Sequence, residues 1–224
     1  MEGARRKLIF TDDGSHSVIH EESGVTYHST RGAIQESQHV FITSGLAAAR
    51  TAFPGAPLAI LEIGFGTGLN AFLTAIEALH APQIIRYTSL DAYPLDLTTA
   101  TALNYPDILG HEELFSAIQL AQWNMQVPIH ATFYLEKRSD DLRTFSCAEK
   151  YHLIYFDAFA PEAQPELWTE AVFAGLAACC VPGAILVTYC SKGSVRRAMG
   201  AAGWTVHKIP GPPGKREIVR AIRK

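Results

Sequence analysis

Four short apolar runs follow one another along the chain, and three of them end at a glycine or an acid. They cover residues 58–63, 84–90, 151–156 and 185–190. Continuous apolar runs of this length are typical of strands buried on both faces of a parallel sheet. Residues 69–79 carry apolar side chains every three or four positions, as an amphipathic helix does. The alternation predicts an α/β fold with a Rossmann-like, doubly wound sheet.

Shorter segments precede the first of these runs. They predict strands at residues 7–11 and 16–20, a possible third strand at 25–29, and helix over 32–42 and 46–52. An Asp-Gly turn joins the first two strands, and Pro54 and Pro57 break the chain after the helix. We therefore expect an N-terminal extension over residues 1–57, a β-hairpin plus helix, packed on a core domain of residues 58–224.

The remaining segments complete the predicted sheet and its helices. Helices are predicted at 95–103, 107–123, 172–180 and 195–202, a third parallel strand at 129–135, a turn at 181–184, and a final antiparallel pair at 203–209 and 217–222. The chain thus predicts one α/β core with an antiparallel pair at its carboxyl end.

Composition narrows the class of protein. A chain of 224 residues with 48% hydrophobic and 18% charged residues can bury one full core. No apolar run reaches the roughly 18–20 residues of a membrane span, and the start of the chain does not resemble a secretory signal, so we expect a cytoplasmic protein without a membrane contact. The four cysteines lack C-x-x-C spacing and metal-ligand spacing with histidine. Free thiols, with neither disulfide nor metal site, are therefore expected.

Charge is distributed unevenly along the chain. Its net charge is −3, but residues 185–224 hold nine basic residues and one acid, a net charge of +8. The first 184 residues hold ten basic and twenty-one acidic residues, a net charge of −11. A basic face on an acidic body indicates that one region binds an anionic polymer. A solvated basic tail is the alternative for the last few residues.

After the first apolar run, every second residue from position 64 to position 68 is glycine, and Glu62 precedes the first of these glycines by two residues. Glycine permits unusual backbone conformations and close approach of a ligand at a helix start. The E-x-G-x-G-x-G spacing differs from the G-x-G-x-x-G of dinucleotide enzymes. We interpret it as the methionine end of an S-adenosylmethionine site, with a purely structural turn as the alternative. The assigned residues are Glu62, Gly64, Phe65, Gly66, Thr67, Gly68 and Asn70.

Acids also stand at the ends of the next two strands. Asp91 follows the second apolar run, where nucleoside-binding α/β folds place a carboxylate for the ribose hydroxyls. A helix N-cap is the alternative role. After the third predicted strand, Asp140 and Asp141 are both available to accept from an adenine amino group.

The loop after residues 151–156 is unusual in composition. Asp157 ends the strand, and the next twelve residues contain two further acids, two prolines, Phe159 and Trp168. Ligands bind at this edge of open α/β sheets. Phe159 is a candidate for stacking on a base, with ordinary packing as the alternative. His28, Glu36 and His39 are polar residues near apolar ones, and each has either a site role or a structural one.

Basic residues cluster after the last predicted parallel strand. Lys192, Arg196 and Arg197 begin a helix, and Lys215 and Arg216 end a Pro/Gly-rich loop. We expect these five to contact phosphate, although a plain hairpin loop is the alternative for the last two.

The motifs together resemble one family. They are the glycine turn, D-A-F-A-P at 157–161, P-E-L-W-T at 165–169, T-Y-C-S-K-G at 188–193 with V-R-R at 195–197, and P-G-P-P-G-K-R-E at 210–217. This combination, over residues 27–221, resembles the methyltransferase half of the bifunctional enzyme that makes 5-methylaminomethyl-2-thiouridine at the tRNA wobble position.

The resemblance implies a Rossmann-like methyltransferase fold, S-adenosylmethionine as cofactor, and 5-aminomethyl-(2-thio)uridine as acceptor. It implies tRNA, bound by its anticodon region, as partner. In that family a flavin-dependent oxidase domain follows. Because this chain stops at Lys224, the expectation is a stand-alone methylase, with a separate oxidase or other wobble-uridine modification enzymes as partners.

By the same resemblance Asp157 is catalytic, and Glu62, Gly64, Gly66 and Asp91 bind the cofactor. An alkylamine with a pKa of roughly 10 is mostly protonated, so a nearby carboxylate that accepts a proton and orients the nitrogen suits the reaction. Asp157 is also expected to contact the cofactor. Glu136-Lys137 stands where the family usually has Gly-Asp, so we assign the adenine contact to Asp140.

Two other functions are open. An S-adenosylmethionine-type enzyme could act on a small amine or another RNA base, but a small cation gains nothing from a basic face. A catalytically silent RNA-binding module is the other alternative, against which the intact Asp-Ala-Phe-Ala-Pro motif argues.

Overall fold

An eight-stranded mixed sheet forms the centre of the computed structural model, which describes residues 5–224. Its spatial order is β5-β6-β4-β3-β7-β8-β10-β9. In chain order these strands are β3 (Leu58–Ile63), β4 (Ile85–Leu90), β5 (Gln126–His130), β6 (Phe133–Arg138), β7 (Tyr151–Phe156), β8 (Cys180–Thr188), β9 (Trp204–Pro210) and β10 (Glu217–Arg223). Five neighbouring strands, β6, β4, β3, β7 and β8, are parallel. Their carboxyl ends therefore meet at one edge.

A two-stranded hairpin and a long helical segment precede the sheet. Strands β1 (Arg6–Phe10) and β2 (His16–His20) pair antiparallel. The turn between them is held by Asp13, whose Oδ1 accepts from Thr11 Oγ1 and from the N–H of Ser15. The hairpin is confirmed, but the possible third strand at 25–29 is wrong, because only an isolated bridge joins Ile19 to Thr26. Residues 1–4 of the predicted extension lie outside the described part.

The helical segment of the extension packs directly on the sheet. It runs through α1 (Ala33–Ser37), a π-helix (Gln38–Leu46) and α2 (Ala47–Ala52). A Cβ at Gly45 would lie 2.9 Å from Val187 Cγ2 and 3.1 Å from Tyr155 Cε1, so the backbone touches strands β8 and β7. The absence of a side chain at this position permits the contact.

Helices cover both faces of the sheet. They are α3 (Leu69–Leu79), α4 (Leu97–Thr101), α5 (Tyr105–Leu109), α6 (Glu112–Leu120), α7 (Glu170–Ala178) and α8 (Gly193–Ala201). One core cluster joins α3, α6 and the N-terminal helical segment to the sheet, and a second joins α7 and α8 to the other face. The predicted α/β architecture is confirmed.

Three predicted elements are wrong in detail. The strand expected at 129–135 is two strands, β5 and β6, and β6 continues to Arg138 because Lys137 points into the protein and donates to the carbonyls of Ile118 and Gln119. Residues 181–184 belong to β8 instead of a turn. The helix expected at 107–123 is two helices, α5 and α6, of which α5 begins at Tyr105 with proline in its first turn.

The cysteines also differ from expectation. Cys147 and Cys179 form a disulfide with a Cα–Cα distance of 5.7 Å, whereas Cys180 and Cys190 are free and buried. The N–H of Tyr151 donates to the Cys179 carbonyl, which brings the end of α7 beside the loop before β7. Strand pairing between residues distant in sequence created this proximity, so cysteine spacing did not reveal it.

Across residues 5–224, every helix is too short or too polar to cross a lipid bilayer.

Candidate active site

The candidate site is a cleft at the carboxyl ends of β3, β4 and β7. Its volume, including the open mouth, is about 1000 Å³. The glycine turn, Asp91 and Asp157 all line it. Parallel strands deliver their carboxyl ends to one edge, which explains how residues almost 100 positions apart come together.

The glycine turn brings two strand ends into contact. Gly64 has φ +92°, and a Cβ there would lie 2.7 Å from the Asp157 carbonyl oxygen. The amides of Gly64, Gly66 and Gly68 donate to Leu90 O, Asp91 Oδ2 and Phe65 O at 2.8, 2.9 and 2.8 Å. These three donors are therefore bonded to protein, and the assignment of Gly64, Gly66 and Gly68 to the cofactor stays a prediction. Their side-chain neighbours Phe65, Thr67 and Asn70 do line the cleft.

Gly64→Ala should therefore destabilise the protein. Alanine at positive φ and the contact with the Asp157 carbonyl together are expected to lower the free energy of unfolding by roughly 2–4 kcal/mol. Urea unfolding measures this. Gly175→Ala is the matched control, since Gly175 lies inside α7 with no atom within 4 Å of an added Cβ. Equal stability of the two variants would contradict the proposed close contact.

Two backbone N–H groups hold the carboxylate of Asp91 at the carboxyl end of β4. Its Oδ2 accepts from the N–H of Gly66 and its Oδ1 from the N–H of Tyr93, both at 2.9 Å. Burial raises the pKa of this carboxyl. Each carboxylate oxygen keeps a second lone pair, so Asp91 can still accept two hydroxyl groups of a ligand. Neither of these bonds caps a helix. Asp96 caps α4 instead, where its carboxylate accepts from the N–H of Thr99.

Both candidates for the adenine contact lie in the cleft. Asp140 pairs with Arg138 at 2.5 Å, and Asp141 pairs with Arg143 at 2.5 Å. The hydrogen bond from Arg143 lowers the pKa of Asp141. Leu142 lies beside them on the same wall. The assignment to Asp140 stays a prediction, because both carboxylates reach the cavity.

Asp157 is held by an amide from helix α3. Asn70 Nδ2 donates to Asp157 Oδ2 at 2.8 Å, and the Asp157 N–H donates to the Ile63 carbonyl at 3.0 Å. Burial raises the pKa of Asp157 well above its ordinary value. A desolvated carboxylate of this kind is a stronger proton acceptor than an exposed one.

Glu62 does not line the cleft. Its side chain is fully buried on β3, and its Oε2 accepts from Ser89 Oγ at 2.6 Å. Burial raises the pKa of Glu62 to about 8. The cofactor contact of Glu62 stays a prediction; in this structure its carboxyl accepts from Ser89 within the sheet.

Tyr27 and His20 of the N-terminal extension and Phe159 of the loop after Asp157 form an aromatic wall of the cleft. Tyr27 stacks on His20 at 5.4 Å and meets Phe159 edge-on at 5.0 Å, with His20 and Phe159 5.6 Å apart. His28 is also in the cleft, where its Nε2 bonds Thr67 Oγ1 at 2.7 Å. Burial lowers the pKa of His28 to about 4, so it is neutral at pH 7.

Sequence reasoning missed most of this wall. Arg6 and His20 of the hairpin and Tyr27, which follows it, line the cleft, although the sequence predicts no site role for them. Arg6 donates to the carbonyls of Tyr93 and Pro94, which anchors β1 above the end of β4. Aromatic and histidine residues near the end of a hairpin were the available signal.

The five predicted phosphate contacts do not line this cleft. Lys192 pairs with Glu162 of the Asp157 loop, and Arg196 and Arg197 border a separate shallow groove with Gly193 and Trp204. Lys215 pairs with Glu36 at 2.8 Å, with its ammonium 4.6 Å from the centroid of the Tyr189 ring.

These basic residues nevertheless share the edge of the cleft. The loops after β8 and before β10 both lie there, because β10 runs antiparallel to β8. Lys192, Arg197 and Arg216 are exposed, whereas Arg196 and Lys215 are half-buried.

The charge of the cleft suits a cationic ligand. Five acids line it against two arginines; the acids are Asp91, Asp140, Asp141, Asp157 and Glu166. S-adenosylmethionine carries a sulfonium and an ammonium against one carboxylate, and its ribose can donate to Asp91. The volume, the acid excess and the position of Asp91 thus fit this cofactor.

Comparison with known proteins also indicates an S-adenosylmethionine-dependent enzyme, the class that the geometry of the cleft suits. A family model described as S-adenosyl-L-methionine-dependent methyltransferase matches residues 104–224, more than half of the chain. The tRNA 5-methylaminomethyl-2-thiouridine biosynthesis bifunctional protein of Ectopseudomonas mendocina is 35% identical over 214 residues, covering 88% of this chain and 32% of the relative. The corresponding protein of Chromobacterium violaceum is 31% identical over 237 residues, covering 97% and 34%. The chain therefore spans about a third of the length of these relatives.

A solved structure supports the fold. The crystal structure of MNMC2 from Aquifex aeolicus superposes with a TM-score of 0.77 at 22% identity, covering 98% of this chain and 71% of that one. The match includes the N-terminal extension, since nearly the whole chain is covered. This chain belongs to the S-adenosyl-L-methionine-dependent methyltransferases, in the family of the methyltransferase domain of the bifunctional tRNA 5-methylaminomethyl-2-thiouridine biosynthesis proteins.

Proposed function

We propose that this protein N-methylates 5-aminomethyl-(2-thio)uridine at the tRNA wobble position, which gives 5-methylaminomethyl-(2-thio)uridine. The observation that carries the proposal is the position of Asp157, between the glycine turn on one side and the aromatic wall on the other. The activity for which the relatives are named, biosynthesis of 5-methylaminomethyl-2-thiouridine in tRNA, supports the choice of substrate.

The cofactor half of the cleft is formed by the ends of β3, β4 and β6. Asp91 would accept from the ribose hydroxyls and Asp140 from the adenine amino group, while Phe65, Thr67 and Asn70 line the turn. When bound, S-adenosylmethionine supplies the electrophilic methyl group. The chain supplies binding, orientation and proton transfer.

Asp157 is proposed as the group that orients the substrate amine and accepts its proton. The side chain faces the cleft and is fixed by Asn70. A protonated amine has no free lone pair, so proton removal must accompany attack on the methyl carbon. Holding the nitrogen in line with the methyl group contributes most of the rate.

Phe159, Tyr27 and His20 are proposed to hold the uracil ring beside Asp157. All three line the cleft, and aromatic faces stack on bases with little sequence preference. Tyr27 and His20 come from residues 1–57, so the extension completes the substrate half of the site. A separate oxidase or other wobble-uridine enzymes are proposed to supply the aminomethyl group.

The direct test is methyl transfer in vitro. Purified protein, methyl-labelled S-adenosylmethionine and tRNA carrying 5-aminomethyl-2-thiouridine should give labelled 5-methylaminomethyl-2-thiouridine on nucleoside analysis. Matched tRNA without the aminomethyl group should stay unlabelled. The acid-lined cleft would also suit a small cationic amine, so polyamines are included as competing acceptors. Labelling of a polyamine but not of tRNA would overturn the proposed substrate.

The basic edge is proposed to bind the anticodon region through its phosphates. Charge reversal of Lys192, Arg196 and Arg197 should weaken tRNA binding, and the slope of log K against log salt should fall by roughly 0.7 for each phosphate of a single strand that the protein no longer binds. Lys150→Glu is the control, because Lys150 precedes β7 at the opposite edge of the sheet. A salt slope equal to that of the unmodified protein would mean that tRNA binds elsewhere.

A further inference from the structure

Three buried polar atoms without hydrogen-bond partners lie together behind the cleft. They are Glu62 Oε1 on β3, Asn70 Oδ1 on α3 and the hydroxyl of Tyr87 on β4. Asn70 and Tyr87 both lie beside Glu62, and a hydrogen bond donated by either one lowers its pKa. Unpaired buried polar atoms are costly, so a cluster of them needs a physical explanation.

Donor counting gives that explanation. With Glu62 ionised, the cluster has two unpaired acceptors, Glu62 Oε1 and Asn70 Oδ1, but one unpaired donor, the Tyr87 hydroxyl. One added proton on Glu62 provides the missing donor. The Ser89 hydroxyl already bonds the other oxygen, Oε2.

The Asn70 amide also lies between two carboxyls. Its Nδ2 donates to Asp157 Oδ2 at 2.8 Å, which leaves its oxygen for the other side. An amide oxygen cannot pair with an ionised carboxylate, but it accepts well from a neutral acid. The orientation of the amide therefore depends on the proton of Glu62.

We propose that Glu62 is a positioning residue that carries a buried proton, donates it as a hydrogen bond to Asn70, and thereby keeps the Asn70 amide directed at Asp157. The effect on catalysis rests on the proposed methyl transfer, whereas the buried proton does not. Loss of the proton would favour rotation of the amide toward Glu62 and would leave Asp157 without its partner.

The surroundings of Glu62 favour its neutral form. The titratable and polar groups that face it are Ser89, Tyr87 and Asp91 from β4 and its end, Asn70 from α3, and Tyr155 and Asp157 from β7 and its end. Burial has the largest effect and raises the pKa of Glu62 from 4.5 to about 8; hydrogen bonds from Ser89, Asn70 and Tyr87 lower it, and the charge of Asp91 raises it further.

The first test needs no substrate. An acid whose pKa is raised on folding stabilises the protein below its unfolded pKa and loses that contribution as pH rises through the folded pKa. The unfolding equilibrium constant of the unmodified protein, relative to Glu62→Gln, should therefore increase up to about tenfold per pH unit between roughly pH 4.5 and 8. Glutamine keeps an acceptor for Ser89 and a donor for Asn70 at every pH.

Glu136→Gln is the matched control. Glu136 is on the neighbouring strand β6 and is half-buried. A ratio for Glu62→Gln that depends on pH no more strongly than the ratio for Glu136→Gln would overturn the buried proton.

Carbon-13 NMR of the unmodified protein keeps the proposal testable if Glu62→Gln does not fold. With glutamate side-chain carboxyls labelled, one signal should keep the shift of a neutral acid at pH 6 and titrate near pH 8. Ionisation of all glutamates below pH 6 would overturn the proposal.

The link to Asp157 is tested by the pH profile of methyl transfer. The rate with the unmodified protein should fall above about pH 8, and Glu62→Gln should remove this fall. Coincident profiles would overturn the positioning role. If the unmodified protein transfers no methyl group to the tRNA, the proposed function fails, while the unfolding and NMR results still decide the buried proton.

Discussion

Asp157→Ala is expected to reduce methyl transfer to 5-aminomethyluridine tRNA by at least about 100-fold, the usual size of a general-base contribution. The variant loses the carboxylate that lies beside both halves of the cleft and that Asn70 holds at 2.8 Å. S-adenosylmethionine should still bind within a few-fold of its normal affinity, because Asp91 and the glycine turn remain. Single-turnover kinetics measure the chemical step and calorimetry measures binding.

Two further variants, Asp157→Asn and Glu170→Gln, test whether the loss of rate is due to the carboxylate of Asp157. Asparagine keeps the size of the side chain but cannot accept the proton, so its loss of rate should approach that of alanine. Glu170 is exposed in the first turn of α7, outside the cleft, and its change to glutamine should leave the rate unaltered. Full activity of either Asp157 variant would exclude the assigned role.

Asp91→Ala is expected to weaken S-adenosylmethionine binding by roughly 100-fold or more. Hydrogen bonds to a charged group contribute about 1.5–3 kcal/mol each, and about 1.4 kcal/mol corresponds to a tenfold change in affinity. The proposed pair of ribose contacts therefore accounts for this loss. Calorimetric titration with S-adenosylmethionine and S-adenosylhomocysteine measures it, and both ligands should be affected equally since both contain the ribose.

The same titration distinguishes the candidates for the adenine contact. Asp140→Asn and Asp141→Asn should differ, with the larger loss at Asp140 if the assignment is correct. A larger loss at Asp141 would move the contact there. An Asp91→Ala protein that folds and binds both ligands normally would contradict the ribose role.

The sequence predicted the sheet well where burial imposes a pattern. Strands buried on both faces need continuous apolar runs, so β3 and β7 and the intervening helix α3 were predicted with the bounds that the structure has. The bounds of β6 were predicted poorly because the buried Lys137 interrupts its apolar pattern. The ammonium of this lysine donates to two carbonyls at the end of α6 and lies near the rings of Phe65 and Trp123.

The candidate site was predicted in part. Asp91 and Asp157 could be predicted because the end of a parallel strand fixes where its next residue lies, on the ligand edge of the sheet. Tyr27 and His20 could not, since their position depends on how the hairpin and the segment after it fold over that edge. The bond between Glu62 and Ser89 could not be predicted either, since it depends on which strand lies beside β3.

The sequence by itself determined the α/β fold, the glycine turn and the acids at the strand ends, because local periodicity and strand direction are properties of the chain. Only the tertiary structure decided which side chains meet. It paired Asn70 with Asp157, directed Glu62 inward, joined Cys147 to Cys179 and brought the extension over the cleft. These contacts join distant segments, and their energies come from packing and desolvation that exist only after the chain has folded.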